Sequence, residues 1–154
     1  YISNINTTFI FQTNKDAENG KVILVDIENH LKEFSDGNSI ARKLNGSFSS
    51  VEVVPEEKLK VLSRVGLVNQ NYVLLVYIDE VKHSLELVDL KNTTQKTMFP
   101  LPPGTISSLS GAKKNSTEIF FRHSSYISPG TIYKCDLSTG QFDCEVGFVK
   151  LPLA

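Results

Sequence analysis

One pattern recurs three times along this chain and constrains everything else: a β-rich segment, a polar reversal, and a second β-rich segment ending in Asp and an apolar residue. Thr8-Phe9-Ile10-Phe11-Gln12-Thr13 is answered, after the connector 14–20, by Lys21-Val22-Ile23-Leu24-Val25-Asp26-Ile27. Tyr72-Val73-Leu74-Leu75-Val76-Tyr77-Ile78 is answered by Ser84-Leu85-Glu86-Leu87-Val88-Asp89-Leu90. The third copy spans Glu118 to Leu137, with arms Ile119 to Arg122 and Thr131 to Leu137. Its second arm puts Tyr133, Cys135 and Leu137 on one face and Lys134 and Asp136 on the other, the period of a half-buried strand. Between the arms lies Ser128-Pro129-Gly130; proline presets φ and glycine accepts positive φ, so a type II turn is expected. Aligned on Asp26, Asp89 and Asp136, the three second segments match in type at almost every position. Each aspartate precedes a polar reversal, where its carboxylate can accept backbone N–H bonds.

Each hairpin is followed by a short apolar segment ending at proline: Val51 to Pro55, Thr97 to Pro100 and Phe148 to Pro152. Each is preceded by one more: Tyr1 to Ser3, Val61 to Val68 and Thr105 to Leu109. The prolines lie 45 and 52 residues apart. Four strands per unit at that period predict an all-β fold of about three four-stranded antiparallel meander blades, an open arc of a β-propeller. The expected blades are 1–57, 58–102 and 103–154. The first carries an inserted loop at 28–47, where a turn of helix around Ile40 to Leu44, stopped by Gly46, competes with the favoured solvated loop. The mostly apolar Val61 to Val68 is expected to be an innermost strand buried on both faces.

At 154 residues such a chain can bury about two thirds of its unfolded surface. Its net charge of −1 supplies no field to hold nucleic acid or an anionic membrane. The longest apolar run, Val73 to Ile78, is too short to span a bilayer. The chain starts in mid-pattern without Met, so a piece of a longer protein is expected. Cys135 and Cys144 can pair only if their strands align, and free thiols in a cytoplasmic protein are the favoured expectation. Asn-x-Ser/Thr triplets begin at Asn6, Asn45, Asn92 and Asn115. Chance predicts about two in a chain of this composition, so secretion stays open.

The run Asp79 to Leu90, then Phe99-Pro100-Leu101, Ser110-Gly111-Ala112-Lys113-Lys114, Thr117-Glu118-Ile119-Phe120-Phe121, and above all Ser124-Ser125-Tyr126-Ile127-Ser128-Pro129-Gly130-Thr131-Ile132-Tyr133, closely resembles the later propeller blades of the prolyl oligopeptidase (prolyl endopeptidase) family. The opening, Tyr1 to Asp26, is similar to the preceding blade, while 28–58 matches loosely. The resemblance implies a seven-bladed propeller capping an α/β-hydrolase domain that cuts short peptides after proline with a Ser-Asp-His triad. It implies that this chain is about three blades, a non-catalytic lid and size filter, and that the hydrolase domain lies elsewhere in a serine-peptidase parent. The partners implied are that domain, the remaining blades and short proline-containing peptides. The alternative is a stand-alone propeller-like binding module without peptidase activity.

No catalytic, cofactor-binding or metal-ligating residue is expected in the chain itself. No Gly-x-Ser-x-Gly elbow occurs; Leu109-Ser110-Gly111 lacks the first glycine and sits at a strand end. His30, His83 and His123 each fall in a polar loop or at a hairpin end, where surface or turn histidines are expected. Ser124 and Ser125 adjoin His123, but neighbours on a strand point to opposite faces. Cys135, Cys144, His123 and Asp136 lack metal-ligand spacing. Glu56-Glu57 and Lys113-Lys114 read as solvated loop tips. Three blades of an unclosed ring should leave two apolar faces uncovered, so the isolated chain is expected to self-associate.

Overall fold

The structure, a computed structural model, describes residues 1–27, 50–99, 101–111, 113, 115–127 and 130–146. Among these residues twelve strands form three four-stranded antiparallel meanders, as the repeat requires. The first holds β1 (Ser3–Ile5), β2 (Thr8–Thr13), β3 (Lys21–Asp26) and β4 (Ser50–Val54) in that order. The second holds β5 (Val61–Val68), β6 (Tyr72–Asp79), β7 (Lys82–Asp89) and β8 (Lys96–Phe99). The third holds β9 (Thr105–Ser110), β10 (Glu118–Ser124), β11 (Thr131–Asp136) and β12 (Asp143–Val146). The chain divides into two compact units after Glu56.

In the first unit, β2 and β3 pair from Thr8↔Asp26 to Thr13↔Lys21. Ile10 and Val22 are buried with Ala17, Val53 and Val54. Tyr1 sets its ring against Phe9 and Phe11, at 5.7 and 6.0 Å between centroids. Both the expected turn of helix and the favoured solvated loop fall outside the described residues, as do Ser128-Pro129 of the expected type II turn.

The second unit is organised around a core between its two sheets. Val68, Leu74, Val76, Leu85 and Leu87 from β5, β6 and β7 meet Ile106, Ile119, Phe121, Cys135 and Leu137. Alternation sends these side chains to one face of each strand, and burying each aliphatic or aromatic one contributes about 1.5–3 kcal/mol. Phe99 anchors the edge of the core, edge-on to Phe121, Tyr133 and Phe142 at 5.3–5.7 Å, while Phe121 stacks on Tyr133 at 4.9 Å.

Four details differ from the sequence expectation. The strand buried through both faces is β6, whose residues Val73 to Tyr77 are all buried, whereas β5 is an edge strand with Val61, Ser63 and Arg64 exposed. A central strand has neighbours on both sides, so β6 inherits the burial that apolar composition alone assigned to β5. The fourth strand of the last sheet is β12, starting four residues after Thr139; the segment Phe148 to Leu151 lies outside the described residues. Register explains the third difference: β11 and β12 bring Cys135 opposite Cys144, with Cα atoms 4.0 Å apart, and the two form a disulfide instead of free thiols. Finally, the second face of the third sheet is mixed, not apolar. Exposed Phe120 and Ile132 sit there among Glu118, Arg122, Lys134 and Asp136, and Lys134 pairs with Glu118 at 3.5 Å.

Candidate functional site

Antiparallel meanders send their connections out at two ends, and in the second unit those ends differ in chemistry. One end carries the β6–β7 and β10–β11 connections and the approaches to β5 and β9. There Leu59, Val81, Tyr126 and Ile127 are exposed. The other end carries polar turns: Asn69-Gln70-Asn71, Lys91 to Gln95, and Ser138 to Gln141. A cleft of about 430 Å³ opens at that end, lined by Tyr72, Leu87, Asp89, Lys96, Thr97 and Gly140 among others.

Beneath the apolar end, three elements converge on Gly104. The His83 N–H donates to the Gly104 carbonyl at 2.9 Å, and the Ile106 N–H donates to His83 Nδ1 at 2.9 Å. A Cβ on Gly104 would lie 2.3 Å from the Ser124 carbonyl oxygen and 2.7 Å from His123 Nε2, so no side chain fits at this position. His123 is 2% exposed, and its Nε2 has no hydrogen-bond partner among the described residues. The expected surface or turn histidine is therefore a core residue. The signal was in the sequence: on β10, Ile119, Phe121 and His123 share the inward face. Burial, with Arg64 and His123 adding in the same sense, holds His83 below the usual imidazole range.

A second polar cluster lies on β6 and β7. Glu86, 2% exposed, accepts from Lys60 Nζ, which also stands 4.2 Å from the centroid of the Tyr77 ring. Burial first, then the carboxylates of Glu86 and Glu57, push the Tyr77 hydroxyl well above its ordinary range. Tyr77 Oη and Ser84 Oγ are buried without a hydrogen-bond partner among the described residues. Lys60 neutralises a carboxylate that could not be buried alone, so this is an ion pair of the scaffold.

A nucleophile, a base hydrogen-bonded to it and an orienting acid are needed for triad chemistry. The structure brings His83 and His123 together around Gly104, and among the described residues neither imidazole is seen bonded to a serine hydroxyl. His30 lies outside the described residues. Ser124 ends β10 one residue past the inward-facing His123. Cys135 and Cys144 are consumed by their disulfide, and no group of three His, Cys, Asp or Glu able to hold a metal ion is found among the described residues. Asp89 and Asp136 cap turns: their carboxylates accept the backbone N–H of Lys91 at 2.8 Å and of Ser138 at 2.9 Å. The Ser138 N–H is also the main cause that lowers the Asp136 carboxyl from its usual value. Asp26 accepts from the Thr7 hydroxyl at 3.2 Å.

Similarity to known proteins agrees with this scaffold character. The chain is 28% identical over 143 residues to the prolyl oligopeptidase dbiP of Dendrothele bispora, which covers 92% of this chain and 17% of that protein. Its fold is similar to that of prolyl oligopeptidase B from Galerina marginata, with a TM-score of 0.70 at 23% identity over 97% of this chain and 20% of the other. Oligopeptidase B from Trypanosoma brucei, with covalently bound antipain, is similar at a TM-score of 0.63 and 19% identity, over 90% of this chain and 18% of the other. The chain thus spans about a fifth of the relatives it matches. Residues 1–146 match the family model for the prolyl oligopeptidase N-terminal β-propeller domain, and the chain belongs to that family.

Proposed function

We propose that this chain is the lid and size filter of a serine-type prolyl oligopeptidase, in which a hydrolase domain outside these residues cleaves short peptides after proline. The observation that carries this reading is the family match across residues 1–146. The scaffold chemistry supports it: buried Glu86 is neutralised by Lys60, Asp89 and Asp136 cap turns, and the packed two-sheet core supplies a wall. Such a wall works by keeping water and folded proteins from a reaction centre, which needs stable packing and no reactive side chain. The apolar end with Leu59, Val81, Tyr126 and Ile127 faces the remainder of the parent protein, because exposed apolar clusters of this kind are covered in a stable assembly. Alone, the segment self-associates through this end and through Phe120 and Ile132. Light scattering that shows a monomer at high concentration would remove that corollary.

The test compares the purified 154 residues with the full-length parent on a fluorogenic Gly-Pro peptide. The parent is expected to release the fluorophore and the segment to release none. Turnover by the segment, or a parent that leaves the peptide intact, would overturn the reading.

A further inference from the structure

Among the described residues, three asparagines begin an Asn-x-Ser/Thr triplet: Asn6, Asn92 and Asn115, and all three are exposed. Each stands in a connection of one topological class. Asn6 lies between the first and second strands of its sheet, Asn115 between the first and second strands of the third sheet, and Asn92 between the third and fourth strands of the second sheet. In a four-stranded antiparallel meander these connections leave from one end of the sheet, and the second-to-third connection leaves from the other. The opposite class holds asparagines without triplets: Asn14 and Asn19, between β2 and β3, are followed two residues later by Asp16 and Lys21. In the second unit the triplet-bearing end is the polar one. There Gln70 Nε2 donates to Asn115 Oδ1 at 3.4 Å and the Asn69 N–H to the Lys113 carbonyl at 3.3 Å. The apolar Leu59, Val81, Tyr126 and Ile127 all lie at the other end.

Local geometry at Asn92 suits the modification that such a triplet invites. The turn is held by the Asn92 N–H on the Asp89 carbonyl at 3.2 Å and the Gln95 N–H on the Asn92 carbonyl at 3.0 Å. Within it, the Thr94 hydroxyl donates to Asn92 Oδ1 at 2.6 Å, so the first and third residues of the triplet stand side by side on an exposed turn. An independent feature gives the compartment. The Cys135–Cys144 disulfide belongs to an oxidising environment, the same one in which asparagine is glycosylated.

We propose that Asn92, Asn115 and Asn6 are N-glycosylation sites and that the parent protein matures in the oxidising secretory pathway. The asparagine Nδ2 attacks the anomeric carbon of a lipid-pyrophosphate-linked oligosaccharide. The carbon–oxygen bond to the pyrophosphate breaks, its electron pair leaves with the lipid pyrophosphate, and the amide nitrogen gives up one proton. In the second unit the glycans at Asn92 and Asn115 then cover the polar end and leave the apolar end free for the rest of the protein. This holds whatever peptide the parent cleaves.

The test uses the full-length parent isolated from the cells that make it. It is digested, treated with peptide-N-glycosidase in heavy-oxygen water and sequenced by mass spectrometry, with thiols alkylated before any reductant is added. Heavy-oxygen aspartate at position 92, and at 115 or 6, together with a linked Cys135–Cys144 peptide, is the expected result. Unmodified asparagine at 92, or alkylated cysteines at 135 and 144, would overturn the proposal. In the parent expressed in the same cells, T94A is expected to abolish the mark at Asn92 and T93A to retain it; a mark that survives T94A also overturns it.

Discussion

Asp89 and Asp136 occupy the same place in two sheets, and each closes the turn that follows it by accepting an N–H two residues on. Replacing Asp89 by Ala in the parent is expected to lower stability by about 1 kcal/mol, the size of one net hydrogen bond, with peptidase activity unchanged; urea unfolding measures it. His83 makes the opposite kind of contribution, because its neutral form is the stable one. Its native pKa lies below the ordinary value, so the unfolded chain takes up the proton first. Stability is full above about pH 6.5 and falls as the pH drops below that value. His123 and Arg64 surround it and add to the cost of the charge. In His83→Asn, whose side-chain oxygen can accept from the Ile106 N–H, the acid-side loss of melting temperature between pH 7 and 5 is expected to shrink. An unchanged slope would assign that loss to another group. The aspartates were legible in the sequence because a cap bonds within its own turn. The alternation along β10 marked His123 as inward-facing, but its close approach to Gly104, just before β9, could not be read from the sequence.

At the scale of elements, the central hairpins could be placed from their β-rich runs, the polar reversals between them and the repeat, and their bounds agree with the structure to within a residue or two at most ends. The outermost strands were harder. An edge strand of four residues carries little pattern, and Asp143-Cys144-Glu145-Val146 reads as polar until its register against β11 is known. That register also decides the disulfide. Its closed loop is short, so the cross-link contributes roughly 2–3 kcal/mol. Adding reductant should therefore lower the melting temperature of the parent and leave that of Cys144→Ala unaffected. Gly104→Ala tests the junction of β9 with β10. A methyl group there meets backbone at 2.3 Å, and a loss of about 1–3 kcal/mol is expected in thermal unfolding.

For the whole molecule, the repeat and its period carried the fold class, because a repeated four-stranded meander buries its face against a neighbouring sheet, as the two sheets of the second unit do. What the sequence could not carry was the sorting of the two ends of the second unit into polar and apolar, which follows from strand direction. If the sheet-to-sheet core is the wall of a size filter, loosening it should relax the filter. Phe121→Ala, expected to cost about 3–5 kcal/mol, should raise kcat/KM of the parent for a folded protein bearing an exposed Gly-Pro site relative to that for a short peptide, assayed below the melting temperature of the variant. An unchanged ratio would place the filter elsewhere. The disulfide has one more consequence, which is mechanical. β12 is an edge strand, the kind that peels from a sheet one hydrogen bond at a time when its end is pulled. Because Cys144 is tied to Cys135 in the buried part of β11, a load arriving from beyond Val146 passes through a covalent bond into the core after the first few bonds give way. β12 is thereby turned from a zipper into a tether, and a pull on the chain beyond Val146 acts on a fixed anchor point.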